Sequence, residues 1–377
     1  MEISSHYYAL LALCRTVGLN KKTSHKIAYA SQFVDDAKIN CITGDDGTLQ
    51  KFDFSNIASC HSYSKIRTFN YEAMINNTVA FHFPPGCEGD TFTKQLICKE
   101  DSPIIRQIIE EEINSEPEVF GMYMHIYADT FAHQGFSGLL SKENDIENLQ
   151  EQNLLPFQNG FFDGILNTLK KIKILSVFIK EKDFDDFMPA YGHGQANHNP
   201  DIPYLKWSYE YTHDRCDEET RPLQKVDNVE RFKKAFVAIQ KYLELYLEKN
   251  PQYTDESFDQ RKKDETLKSF FEILKARKTT KKKIKSWQKY LRDNEYYDEK
   301  IDKEILTYDE TLWIKELIHN YDEKSELHKK RTVKNVKLAK GYENSSWLKF
   351  TTASLLYKVR LKQLCGEYGL ELEKDNA

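Results

Sequence analysis

Proline and glycine are scarce in these 377 residues, at 10 and 15. That excludes a loop-rich all-β protein and long disordered tracts. No run of about 18 apolar residues occurs, so no membrane span is expected. None of the seven cysteines (Cys14, Cys41, Cys60, Cys87, Cys98, Cys216, Cys365) forms a C-x-x-C pair. A zinc ribbon and a thioredoxin-type motif are thereby excluded, and an odd, scattered set fits a reducing compartment. The N-terminus has one short apolar run, Ala9–Leu13, with neither a basic stretch nor a cleavage site ahead of it. It does not read as a signal peptide, and the expected location is the cytoplasm. A net charge of −5 gives no overall basic excess with which to grip nucleic acid or anionic membrane. G-x-S-x-G, Walker and dinucleotide fingerprints are missing too, which removes support for serine-nucleophile and nucleotide-cofactor chemistry.

What is present points to helices. Charged residues make up 30% and hydrophobic ones 40%, with long Lys/Glu/Leu/Tyr stretches. The expected fold class is all-α, with a small β-hairpin or extended segments in the N-terminal half. Ser4 or Ser5 is read as the cap of a first helix reaching about Val17, with Gly18 as its stop. A second helix ends near Ala37. A hairpin is expected over residues 40–54 around the GDDG turn, and TVAFHFPPG reads as an extended segment or loop. Further helices are expected over residues 104–114, 118–133 and 161–178. From about Val226 onward, apolar residues at three- and four-residue spacing read as successive long helices. The composition shifts near residues 214–226. The expected division is therefore a metal-binding domain, 1–220, and a C-terminal helical domain, 221–377. Nine of the eleven histidines precede the shift, which suggests shared chemistry there.

The densest motif is MHIYADTFAHQGFSG. His125, Asp129 and His133 follow one another at four-residue intervals, so on a helix they share one stripe. Two imidazoles and a carboxylate suit Zn²⁺ or a similar first-row ion. The three span two turns, so the central Asp129 is placed to bridge two ions. Met124, Ile126, Tyr127 and Phe131 make this helix apolar nearly all round, and buried polar side chains need partners.

Other candidates join it. Asp35 and Asp36 end the second helix, where adjacent carboxylates oppose the macrodipole and call for a cation. His82 lies between two phenylalanines, and His6 stands at a helix start that favours its neutral form. His193 sits between two glycines, with Asp201 in a proline-stiffened loop beyond. His61 and His198 are alternatives to His82 and His193.

Two resemblances follow from these motifs. HYYALLAL, SQFVDDA, AFHFPPG, MHIYADTFAHQGFSG and GHG…NPDIPYLKW resemble an uncharacterised bacterial family, a domain of unknown function, over most of residues 1–213. The order His6, Asp35, His82, His125-x-x-x-Asp129, His133, His193 is similar, more distantly, to zinc-dependent phospholipase C and the zinc single-strand nucleases. Those enzymes also use the amine and carbonyl of a mature N-terminal Trp, and a closely spaced final His and carboxylate. Here the first residue is Met, and the carboxylate after His193 is Asp201. The resemblance implies two or three Zn²⁺ ions, or another divalent transition metal, held by His6, Asp35, His82, His125, Asp129, His133, His193 and Asp201. It implies hydrolysis of a phosphodiester in a nucleic acid, nucleotide or phospholipid. Asp129 would bridge ions, and Asp35 or Asp36 would orient or deprotonate the water.

The rival reading is a non-enzymatic helical scaffold with a structural metal, binding a protein partner through its C-terminal helices. Tyr191, Tyr204 and Trp207 are candidates to stack a base, with a core role the commoner alternative. The basic segments KTTKKKIKSWQKY (278–290) and HKKRTVKNVKLAK (328–340) could touch nucleic acid. A solvated face balanced by the following acidic stretch, DNEYYDEKIDKE, is the competing account.

Overall fold

The computed structural model describes residues 1–45, 51–60, 70–155, 190–212 and 223–373. The expected helix over 161–178, the middle of the GDDG turn, His61 and His213 lie outside them.

The first helix opens as a π-helix, Ser4–Ala9, and continues as α1, Leu10–Thr16. Neither Ser4 nor Ser5 caps it: the residue before it is already helical, and Ser4 Oγ donates to Glu2 instead. Helix α2, Lys21–Asp36, starts where the Asn20 side chain accepts from Thr23 N. Next come α3, Pro103–Glu111, and α4, Pro117–Ala132. Each starts with a proline, whose missing N–H costs a helix nothing at its first position. His133 forms the C-terminal boundary of α4, one residue short of the expected end. The C-terminal part supplies α5 (Asn228–Lys249), α6 (Lys263–Lys275), α7 (Thr280–Asp293), α8 (Leu312–Leu317) and α9 (Ser346–Glu367).

The chain is mostly helical but not all-α, because two three-stranded sheets are part of it. In one, β1 (Cys41–Asp45) and β2 (Lys51–Ser55) form the expected antiparallel hairpin. Its third strand, β6 (Thr332–Lys337), pairs in parallel with β1 from the far end of the chain. TVKNVK alternates too weakly to announce a strand, and only its partner completes it. The second sheet orders β3 (Ile146–Gln152), β4 (Lys206–Tyr211) and β5 (Gln224–Asp227) antiparallel.

A second correction concerns His82. The segment expected to be extended is helical, a π-turn Met74–Val79 running into Ala80–His82. The chain leaves the helix at Phe83, ahead of Pro84-Pro85, because the residue before a proline disfavours helical backbone.

Helices α2 and α4 pack side by side in the most extensive helix pairing of the fold. A Cβ on Gly121 would lie 2.2 Å from Ile27 O, so only glycine lets these backbones approach so closely. Residues on both sides of 220 share one apolar core, from Met1 to Leu372. Phe120 of α4 stacks on Tyr246 of α5 at 4.0 Å, and Tyr7 OH donates to Ile305 O at 2.6 Å. A smaller core, including Phe83, Phe136, Trp207 and Tyr209, lies against the second sheet. Tyr191, Tyr204, Trp207, Trp287 and Tyr290 are all buried, so none presents a face to a base.

Candidate metal centre

Six of the eight candidate ligands come from helices or their ends, and all eight converge. His125 and Asp129 project from one side of α4, with His133 at its end. Asp35 lies in the last turn of α2, and His82 ends the short helix beside α4. His6 lies in the opening π-turn. His193 and Asp201 come from the loop that precedes β4. Two of the histidines thus sit in or directly after π-turns, a rare helix form that often marks functional positions.

Three ligand groups result: His6, His125 and Asp129; Asp35, His82 and His125; His133, His193 and Asp201. Asp129 links them. Its Oδ1 lies 3.2 Å from His6 Nε2, while its Oδ2 lies 3.2 Å from His125 Nε2 and 3.3 Å from His82 Nδ1. His82 Nδ1 and His125 Nε2 are 3.3 Å apart. Asp35 Oδ1 stands off at 3.8 and 3.9 Å from the same two nitrogens. On the other side, Asp201 lies 3.0 Å from His133 Nε2 and 3.5 Å from His193 Nε2.

These separations suit an ion. Donors about 2.0–2.1 Å from zinc at tetrahedral angles stand about 3.3 Å from one another. His6 Nε2 is buried and makes no hydrogen bond, although a carboxylate oxygen is 3.2 Å away. Two lone pairs aimed at one point are the arrangement of two ligands sharing a cation.

The backbone fixes which nitrogen each ring offers. His82 Nε2 faces Ser59 O at 3.1 Å, His133 Nδ1 faces His82 O at 2.7 Å, and His193 Nδ1 faces Asn197 O at 2.7 Å. A carbonyl only accepts, so each of these nitrogens carries the proton and donates. The opposite nitrogen is left with its lone pair toward the carboxylates. Burial also pushes His6, His82 and His125 below the usual imidazole range, and His193 down to about 4. Neutral rings are the ligating form. Burial alone would raise Asp129, but His133, the Met1 amine, His125 and His6 outweigh it and hold the carboxyl ionised. Burial pushes Asp35 up to about 7.

The five histidines are buried, whereas Asp35 is 27% and Asp201 16% exposed. The two carboxylates therefore face the open side. His198, half exposed, lies 3.9 Å from Asp201 and belongs to none of the ligand groups. Asp36, the other carboxylate expected to act on water, also stays outside them. It accepts from Tyr308 OH at 2.9 Å and Gln32 Nε2 at 3.1 Å, and pairs with Lys38 at 3.4 Å.

The family described as "Family of unknown function (DUF6765)" matches residues 1–365. The chain belongs to DUF6765. The match spans every candidate ligand and most of the C-terminal helices. No curated protein and no solved structure matches the chain. The likeness of this DUF6765 member to zinc phospholipase C and the single-strand nucleases therefore rests on the order of ligands alone.

Four contributors were not legible as site residues. The α-amino group of Met1 lies 2.7 Å from Asp129 Oδ1 and 3.1 Å from Asp201 Oδ1. Ser59 and Asn197 act through carbonyls, which side-chain identity does not encode. Asn228, at the start of α5, donates to Asn199 O at 2.6 Å and Ile202 O at 2.8 Å, clamping the loop that carries Asp201.

Proposed function

We propose that this chain is a metal-dependent hydrolase of phosphodiesters, with two or three divalent ions, zinc foremost, held by the eight converging side chains. The observation that carries the reading is Asp129, whose two oxygens are divided between different ligand groups. A carboxylate shared in that way holds two cations a few ångströms apart, the spacing on which two-metal phosphoester hydrolases rely. When bound, such ions neutralise phosphate charge and acidify water.

The chain's own residues do the rest. Backbone carbonyls fix the rings of His82, His133 and His193, and all five histidines are buried, so the centre is preorganised. Asp35 lies on the open side, where its carboxylate would orient the water or take its proton. As the water oxygen bonds to phosphorus, the ester P–O bond breaks and its oxygen leaves with a proton. Asp36 is committed to Tyr308 and Lys38, so Asp35 carries this role. The substrates in view are a nucleic acid, a nucleotide or a phospholipid head group.

The test joins metal analysis of protein purified without chelator to hydrolysis of bis(p-nitrophenyl) phosphate. Two or three transition-metal ions per chain and zinc-dependent turnover are expected. Asp129→Asn should lose most of the metal and at least about a hundredfold in rate, a few kcal/mol of transition-state stabilisation, with helical content intact. Less than one ion per chain, with no uptake on adding zinc, would sink the reading. Full metal with no hydrolysis of any phosphodiester would favour a structural centre in a scaffold that binds a protein partner.

A further inference from the structure

Of the two basic segments in this acidic chain, the one around α7 belongs to the longer basic block. Residues 261–292 hold thirteen Lys or Arg against three Asp or Glu, and residues 275–289 hold eight against none. The acidic stretch that follows balances only the C-terminal end of that block. That stretch pairs with Lys289, Arg292 and Lys21, through Asp293, Glu299 and Asp302. Lys289 and Arg292 lie at the C-terminal end of α7. At a rise of about 1.5 Å per residue, Lys281 and Lys282 of its first turn lie roughly 10–16 Å from these two residues along the axis, beyond the screening length of about 8 Å at physiological salt, and Lys285 lies roughly 6–10 Å from them.

There, Lys281, Lys282 and Lys285 are exposed, and among the described residues they enter no ion pair. No acidic side chain occupies the first turn. Three cations at a helix N-terminus add to the positive end of its dipole, an arrangement that disfavours the isolated helix and attracts anions. The same end of α7 also adjoins the metal centre. Thr280 Oγ1 donates to Glu2, the neighbour of Met1, whose amine contacts Asp129 and Asp201. Lys283, buried between, reaches within 5.4 Å of the Tyr204 ring, three residues beyond Asp201.

We infer that the α7 lysines hold the phosphates of a nucleic acid strand whose neighbouring phosphodiester lies at the metal centre. This rests on the hydrolase reading above and selects among its substrates. A lipid surface fits less well. Among the described residues, no exposed large hydrophobic side chain lies between 261 and 292, and Trp287 and Tyr290 are buried. The patch therefore has charge and no wedge to insert in a bilayer. Because those aromatics and Tyr204 and Trp207 are core residues, this surface holds the strand by its backbone, without regard to sequence and with strong salt dependence.

The experiment uses the full metal-loaded chain, a fluorescein-labelled oligothymidylate of about 20 nucleotides with phosphorothioate linkages, and the variant Lys281→Glu/Lys282→Glu/Lys285→Glu. These side chains are exposed, so folding is unaffected. Wild type should bind with an affinity that falls steeply from about 50 to about 200 mM NaCl. The variant should bind at least about tenfold more weakly, with a log–log salt slope shallower by about 2, near 0.7 for each phosphate it no longer neutralises. Its hydrolysis of bis(p-nitrophenyl) phosphate should match wild type. Equal affinity and slope in the two proteins would overturn the inference. So would lysine-dependent binding to phosphatidylserine vesicles with none to the oligonucleotide. If the oligonucleotide result holds but metal-loaded wild type hydrolyses no phosphodiester, the surface stands and the hydrolase reading fails.

Discussion

At the residue scale, the eight candidate ligands were legible and the groups that support them were not. His125, Asp129 and His133 declare themselves through spacing alone, because a helix turns four-residue steps into one stripe. His82 and His193 could be named from glycine, phenylalanine and proline around them. Ser59 and Asn197, by contrast, act through carbonyls that every residue has. Asp36 looked equal to Asp35 in sequence, and its bond to Tyr308, far along the chain, goes with its place outside the ligand groups. Lys358 is another residue whose meaning appears only in the fold. Buried on α9, it donates to Asn56 O at 2.6 Å and Ala58 O at 2.9 Å, on the segment leading to Ser59. Burial, with Lys362 and Arg331 nearby, pushes its amine down to about 7. The unfolded chain keeps that proton until about 10.4. Between those values the unfolded state binds one proton more, so this lysine's contribution makes stability rise with pH, by up to about 1.4 kcal/mol per unit. Urea midpoints at pH 7 and about 9.5 should therefore differ between wild type and Lys358→Met. Wild type should gain stability relative to the variant at the higher pH, and parallel curves would contradict the assignment.

At the element scale, the long helices were readable from apolar spacing, and boundaries slipped by only a few residues. What failed was local. The TVAFH segment has β-branched and aromatic residues that favour a strand, yet packing beside α4 makes it a helix end. The π-turns that hold His6 and precede His82 have no sequence signature. The α2/α4 packing is the element pair on which the centre depends, since it sets Asp35 against His125. Gly121→Ala should gain about 1 kcal/mol of helix propensity and lose about 2–3 kcal/mol, the upper part of the usual range, to overpacking against the Ile27 carbonyl. The expected net is a loss of about 1–2 kcal/mol in denaturant unfolding. Zinc affinity should weaken with it, because α2 must move away and carry Asp35 along. An alanine variant with unchanged stability and metal content would mean that the helices can separate freely.

At the scale of the whole molecule, composition predicted a mainly helical chain with little loop, and that much was in the sequence. Of the two sheets only the β1/β2 hairpin was, because β6 becomes a strand only by reaching back to β1, and sequence patterns report neighbours, not distant partners. The same long-range packing bears on the division near residue 220. Tyr7, Thr16 and Phe120 meet Ile305, Tyr290 and Tyr246 across it. Each large side chain left bare by a cut would forfeit about 1.5–3 kcal/mol of burial. A chain of residues 1–220 alone is expected to show no cooperative thermal transition, whereas 1–373 should melt in one step. A sharp transition in the shorter chain would mark the first part as self-sufficient.

The carbonyls of Ser59, His82 and Asn197 grip their imidazoles through the nitrogens that face away from the ligand positions. That grip does not depend on what the other side of each ring holds. The cradle should thus outlast its contents: after chelation the far-ultraviolet dichroism stays as it was, and returned zinc rebinds at the speed of an encounter, with no slow refolding phase. A protein built this way would tolerate scarcity, waiting in finished form for a scarce ion to arrive.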